Sequence, residues 1–203
     1  MNRLIRILLL PLCLVLVSGA GITRPASWSD EQKADLDKVS AYLNAVQTMT
    51  GSFVQIGSDG SVAQGRFFIS KPGKMRFDYN PPSPTMVVSN GLSITVYNTQ
   101  LKTQDSYPLS STPLNLLLSN RLKLASNKDV VGIERQDGQI IVHARSNDRR
   151  ATGNITIVFS GPDPELKQWT IVDGQGLPTT VTLRDVQTGT PVPLSLFGLK
   201  DKG

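Results

Sequence analysis

Chemistry at a protein site needs nucleophiles, acid–base pairs or ligands in groups, and this chain offers few. Its one histidine, His143, sits in the alternating run QIIVHARS (139–146), on the face opposite Ile140, Val142 and Ala144. That placement predicts a strand-surface residue, not a general base. No GxSxG elbow exists to pair with it, and no HExxH, P-loop, GxGxxG or EF-hand pattern occurs. Carboxylates are scattered, mostly in turns such as Asp137 and Asp173, and nominate no hydrolytic pair. The single cysteine, Cys13, lies in an apolar leader, so neither a disulfide nor a thiolate metal site is expected. The reading is no enzyme, no metal and no cofactor. Trp28 and Trp169 are expected to pack, and Arg149-Arg150 to form a solvated hairpin tip.

What remains is binding chemistry, and it concentrates in VAQGRFFISKPGKMRFDY (62–79). This reads as two antiparallel strands joined at Lys71-Pro72-Gly73-Lys74, where Pro72 lacks an N–H and Gly73 takes positive φ freely. Phe67 and Ile69 share one face of the first strand. Met75, Phe77 and Tyr79 share one face of the second, with Arg76 and Asp78 opposite. Rings along the strands and cations at the tip suit a ligand that is greasy with a polar or anionic end.

The elements that must position this hairpin follow from patterning. Residues 1–20 (MNRLIRILLLPLCLVLVSGA) are expected to be a secretory signal peptide: Arg3 and Arg6, an apolar run from Ile7 to Val17, then small Ser18-Gly19-Ala20. The run is short for a membrane span and Pro11 interrupts it. Residues 21–203 are expected to form one domain. Formal net charge is +5, too mild and dispersed for nucleic acid. Ser29 to Gln32 fits a capping box opening an amphipathic helix, with Leu36, Val39, Leu43 and Val46 as its apolar stripe, ending near Thr48–Gly51.

Beyond Gly51 the chain is strand and turn. Strands are expected at 52–57, 63–70, 74–79, 85–89, 92–98, 101–107, 129–135, 139–146, 153–160, 166–173 and 178–187. Asp59-Gly60, Asn90-Gly91, Asp137-Gly138 and Asp173-Gly174 supply the turns. This predicts an antiparallel meander, a barrel or a strongly curved sheet. One segment interrupts it. Thr112 as N-cap and Pro113 as first helical residue open a greasy helix to Asn120 carrying Leu114, Leu116, Leu117 and Leu118. It either plugs one end of the sheet as core or acts as a lid over a cavity. Phe53, Phe67, Ile69, Met75, Phe77, Val87, Ile94, Val96, Ile155, Ile157 and Phe159 are the candidates for the wall or core, with Met75 and Met86 as adaptable surface. The proline-rich tail 191–199 is expected to form a last edge strand or cover a rim.

In order, YLNAVQTMTGSFVQ, GRFFISKPGKMRFDY, SNGLSITVYN, YPLSSTPLNLLL and SLFGL give the chain a resemblance to the periplasmic outer-membrane lipoprotein carrier family, LolA. The resemblance spans the mature chain. It implies an open, curved antiparallel half-barrel of about ten or eleven strands, mainly β, with the long N-terminal helix and the Leu-rich helix covering its mouth. It implies a periplasmic monomer that takes acylated lipoproteins from an inner-membrane ABC transporter to an outer-membrane acceptor. It makes 112–120 part of the lid. Family members carry Arg before the hairpin proline, where it helps control lid opening. Lys71 stands here, keeping the charge but not the planar fork, and Arg76 is the candidate to share that role. A hollow, greasy interior is expected. Competing readings are a sensor or glycolipid-binding protein on the same half-barrel, a secreted hydrolase and a structural envelope domain.

Overall fold

The structure, a computed structural model, describes residues 24, 25, 27–146 and 153–198. The leader with Cys13 and the Arg149-Arg150 pair lie outside these residues. Helix α1 spans Asp30–Ala45. Ser29 Oγ accepts from the Gln32 N–H at 3.2 Å, and Gln32 Oε1 accepts from the Ser29 N–H at 3.0 Å. The predicted capping box thus satisfies two amides that a helix start leaves bare. Leu36, Val39 and Leu43 are buried. The helix ends earlier than expected because the first strand already begins at Thr48.

Eleven strands follow: β1 Thr48–Ile56, β2 Val62–Ser70, β3 Lys74–Tyr79, β4 Thr85–Asn90, β5 Ser93–Asn98, β6 Thr103–Pro108, β7 Val130–Gln136, β8 Gln139–Ser146, β9 Gly153–Ser160, β10 Leu166–Val172 and β11 Pro178–Thr188. All eleven match expected strands to within a few residues. Turn chemistry holds at Gly60, Gly91 and Gly138, with φ of 79°, 102° and 75°. At Asp173 it shifts: the positive φ falls on Gly176 while Asp173 Oδ1 accepts from the Gln175 and Leu177 amides.

The strands form one sheet in the order β6-β5-β4-β3-β2-β1-β11-β10-β9-β8-β7, every neighbour antiparallel. It is open. Its two edges, β6 and β7, are consecutive in sequence, so residues 109–129 must bridge the gap that closure would have filled. The sheet also curls tightly. Phe77 on β3 and Trp169 on β10 are four strand steps apart, about 19 Å in a flat sheet. Their ring centroids lie 6.0 Å apart, edge to face. Phe53 packs against Phe77 and Tyr79, and its ring fills the space above Gly65, where a Cβ would meet it at 2.9 Å.

The interior is therefore filled, not hollow as expected. Phe53, Phe67, Ile69, Met75, Phe77, Ile94, Ile155, Ile157 and Phe159 are buried and join one cluster with α1 and the bridge. Register puts Val87 and Val96 on the same inner face as Phe77, but Val96 is 38% exposed, so the cover reaches Ile94 on β5 and stops short of Val96. Met86 pairs with Asp78 and Tyr97 on the outer face, correcting its expected role in the wall. The tail is neither edge strand nor rim. Leu194–Phe197 is a 3-10 turn that buries Phe197 and packs on β3 and β4, and Arg76 Nη1 donates to Leu196 O at 3.0 Å. Its prolines keep it out of a ladder, and the buried Val88 on that outer face needs cover.

Candidate functional site: the bridge across the open sheet

The bridge is less helical than its leucines suggest. A 3-10 turn at Leu109–Ser111 precedes a single turn, α2, at Asn115–Leu118. Thr112 is not an N-cap: its Oγ1 donates back to Leu109 O at 2.9 Å. Leu116, Leu117 and Leu118 are all buried and Leu114 is half-buried, so the turn presses its side chains into the curled sheet. It plugs the sheet as core.

Two halves of the bridge are held differently. The later half is fixed to α1 and its lead-in. Asn44 Nδ2 donates to Leu122 O at 2.9 Å, and Leu122 N donates to Asn44 Oδ1 at 2.7 Å. Leu124 N donates to Ser40 Oγ at 3.0 Å, and Trp28 Nε1 to Ala125 O at 2.8 Å. Arg24 forks onto Ala125 O and Asn127 O. The α2 half is held to the sheet by main chain: Gly73 N donates to Leu118 O at 2.9 Å and Leu109 N to Leu92 O at 2.9 Å. Gly73 has φ +76°, and a Cβ there would meet Gly91 Cα at 2.7 Å, so the two hairpin tips touch only because residue 73 is a glycine. Ser40 and Asn44 adjoin the Leu36/Val39/Leu43 stripe at a spacing of four. Polar groups beside a buried stripe signal a partner, a sign passed over in the sequence.

Lys71 does not reach α2. Its Nζ donates to Leu43 O, 2.7 Å away in the last turn of α1, and its N–H to Gln47 O. That turn has no basic residue of its own, so Lys71 supplies the cation that helix C-termini favour. Burial pushes the Lys71 ammonium down to about 8. The Lys71 contact ties the hairpin tip to one wall of the cover. Arg76 does not share this role. Alternation puts it on the outer face, bonded to Asp78 at 2.8 Å and to Leu196 O.

Two further polar contacts are structural. Asp35, buried on α1, accepts both Nε and Nη2 of Arg135 on β7, and that guanidinium holds its carboxyl below the usual range. The pair pins α1 to the sheet edge. His143 lies between Thr156 Oγ1 at 3.2 Å and Glu134 Oε1 at 3.1 Å, a strand-surface residue as predicted. Among the described residues no cluster of His, Cys, Asp and Glu could hold a metal.

Two small voids adjoin the bridge. A crevice of about 80 Å³ runs beside Pro113, Asn115 and Leu116 to Ala144 and Ile155. An open groove of about 340 Å³ lies between the hairpin tips and Leu118–Asn120. A short segment joined to the sheet by main-chain bonds thus occupies the greasy interior of an open sheet.

The description "outer membrane lipoprotein carrier protein LolA" matches residues 44–200, which takes in the whole sheet and the bridge. The chain belongs to the LolA family. An outer-membrane lipoprotein carrier protein of Azotobacter vinelandii is 24% identical over 207 residues, covering 98% of this chain and 95% of that one. Another, from Methylococcus capsulatus, is 24% identical and covers 83% and 85%. A crystal structure of a LolA superfamily protein from Nitrosomonas europaea superposes with a TM-score of 0.44 at 11% identity, over 81% of this chain and 96% of that one. LolA proteins are carriers, not enzymes, in keeping with the scattered polar chemistry of this chain.

Proposed function

We propose that this protein is a periplasmic carrier of lipoproteins, exported by its leader, 1–20. It takes the acyl chains of a lipoprotein from an inner-membrane ABC transporter into the space now filled by the bridge and yields them to an outer-membrane acceptor. The supporting observation is that the core of the sheet is filled by Leu116–Leu118, carried on one short helical turn and held to the sheet through main-chain bonds. Magnitudes favour exchange. Burying three leucines stabilises by about 5–9 kcal/mol. One sixteen-carbon acyl chain withdrawn from water gains about 12 kcal/mol at roughly 0.8 kcal/mol per methylene. Two chains exceed the plug with enough margin to cover opening of the bridge. Lys71 and Leu114 to Leu118 would be the gating residues. Phe53, Phe67, Ile69, Met75, Phe77, Val87, Ile94, Val96, Ile155, Ile157 and Phe159 would be the wall. Handover then runs down an affinity gradient and needs no nucleotide site on this chain.

Depletion in cells tests the reading. Lipoproteins should accumulate at the inner membrane, and protein purified from the periplasm should carry acylated peptide detectable by mass spectrometry. Normal lipoprotein sorting after depletion would sink it.

A further inference from the structure

The bridge has an outside as well as an inside. From Arg121 to Leu124 the side chains alternate: Leu122 and Leu124 are buried, while Arg121 and Lys123 are exposed. Lys128 is also exposed, and Arg24, exposed as well, rests on Ala125 O and Asn127 O, adding its charge to the same strip. Residues 109–128 contain three cations and no carboxylate; Asp129 ends the run. Among the described residues none of these four cations makes an ion pair. Stability accounts for Arg24, which clasps two bridge carbonyls and lies over the Trp28 ring, but not for Arg121, Lys123 and Lys128, since the leucines and the bonds to α1 already hold the segment.

A second observation lies beside the strip. Leu92, at the β4–β5 tip, is 83% exposed, and it lines the same open groove as Asn120, the residue before Arg121. Tyr107 on β6, paired with Ile94 of β5, is 54% exposed. Exposed apolar tips next to unpaired cations are the composition of a surface that settles into the headgroup layer of an anionic bilayer.

We propose that the Arg24, Arg121, Lys123 and Lys128 strip, with Leu92 as its apolar contact, docks the open side of the protein on an anionic phospholipid surface. The inference deepens the carrier reading and rests on it for its purpose: acyl chains change hands only where the mouth lies close to a membrane. Each cation near such a surface contributes about fivefold to partitioning, and the effect decays within a Debye length. Four give a reversible contact that salt releases, which suits a shuttle.

The processed protein, purified from the periplasm, is sedimented with vesicles of phosphatidylcholine alone and of phosphatidylcholine with phosphatidylglycerol. Binding is expected only with phosphatidylglycerol, falling steeply as salt is raised. Arg121→Glu with Lys123→Glu should lower it at least tenfold and Leu92→Ser severalfold. Lys102→Glu, in the exposed β5–β6 turn away from the bridge, should leave it unchanged. Equal binding to both vesicles, no binding, or full binding by the double charge reversal would overturn the proposal. So would a double reversal that blocks cargo handover without vesicle binding in the wild type, which would assign the strip to an acidic protein. Retention of a fluorescent acyl probe, measured without vesicles, separates the two readings. Loss of probe binding sinks the carrier and leaves docking standing; intact probe binding with no vesicle binding sinks docking alone.

Discussion

Asn44 and Leu122 hold each other at both ends. The amide of one side chain both donates to and accepts from the main chain of the other residue, at 2.9 and 2.7 Å. This mimics a strand pair between a helix and the bridge, and it fixes the later half of the cover to α1. Arg121, with φ +61°, lies at the junction. Asn44→Ala should cost about 1–3 kcal/mol for two half-buried bonds and raise binding of an environment-sensitive apolar dye by the empty protein. Dye binding equal to wild type would show that the pair does not hold the cover.

Leu118 fills interior space while its carbonyl holds the hairpin tip. Truncation by Leu118→Ala should therefore have opposite effects on two measurements. Thermal or denaturant unfolding should report a loss of about 2–5 kcal/mol. Titration with a fluorescent fatty acid should report tighter binding, because the ligand no longer competes with that side chain. Weaker binding in a folded variant would mean that the leucine is part of the ligand wall and not its competitor.

Burial of Lys71 predicts an alkaline signature. The unfolded chain keeps this proton to near 10.5, and the folded protein releases it at about 8. The unfolded state thus binds more protons between those values, so stability rises with pH across that window. Lys71→Met should flatten the rise in melting temperature between about pH 8 and 10. An unchanged slope would place the titration elsewhere.

Asp35 predicts the opposite end of the scale. Its hydrogen bonds with Arg135, and the charge they carry, depress its folded pKa below the ordinary 3.8. The stabilisation is complete at neutral pH and is lost as pH falls through the folded value. Asp35→Asn should be less stable than wild type at pH 7, and less so at pH 3, by denaturant midpoints. A constant difference at both pH values would refute the coupling.

Arg76 should separate stability from carriage. Arg76→Ala removes the bond to Leu196 O on the outer face and should expose the 194–197 turn to proteolysis. Release of an acyl probe should match wild type. Faster release would return Arg76 to the gating role that its position in the sequence suggested.

The strands and the first helix were legible because their signals are local. Alternation in MRFDY, the glycines of the tight turns and the Ser29–Gln32 box act over a few residues, and eleven strands formed where their patterns stood. The family resemblance was equally legible in the order of those short runs. What no local pattern carried was distance. Curl of the sheet brings Phe77 to Trp169 across four strands and closes the expected hollow. It decides that Lys71 meets Leu43 and not α2, and that Asn44 meets Leu122. Periodicity could place Arg76 opposite Phe77, but only packing showed which side the bridge would cover. Contacts between residues dozens of positions apart depend on the summed twist and register of every strand between them, and that sum exists only in the folded chain.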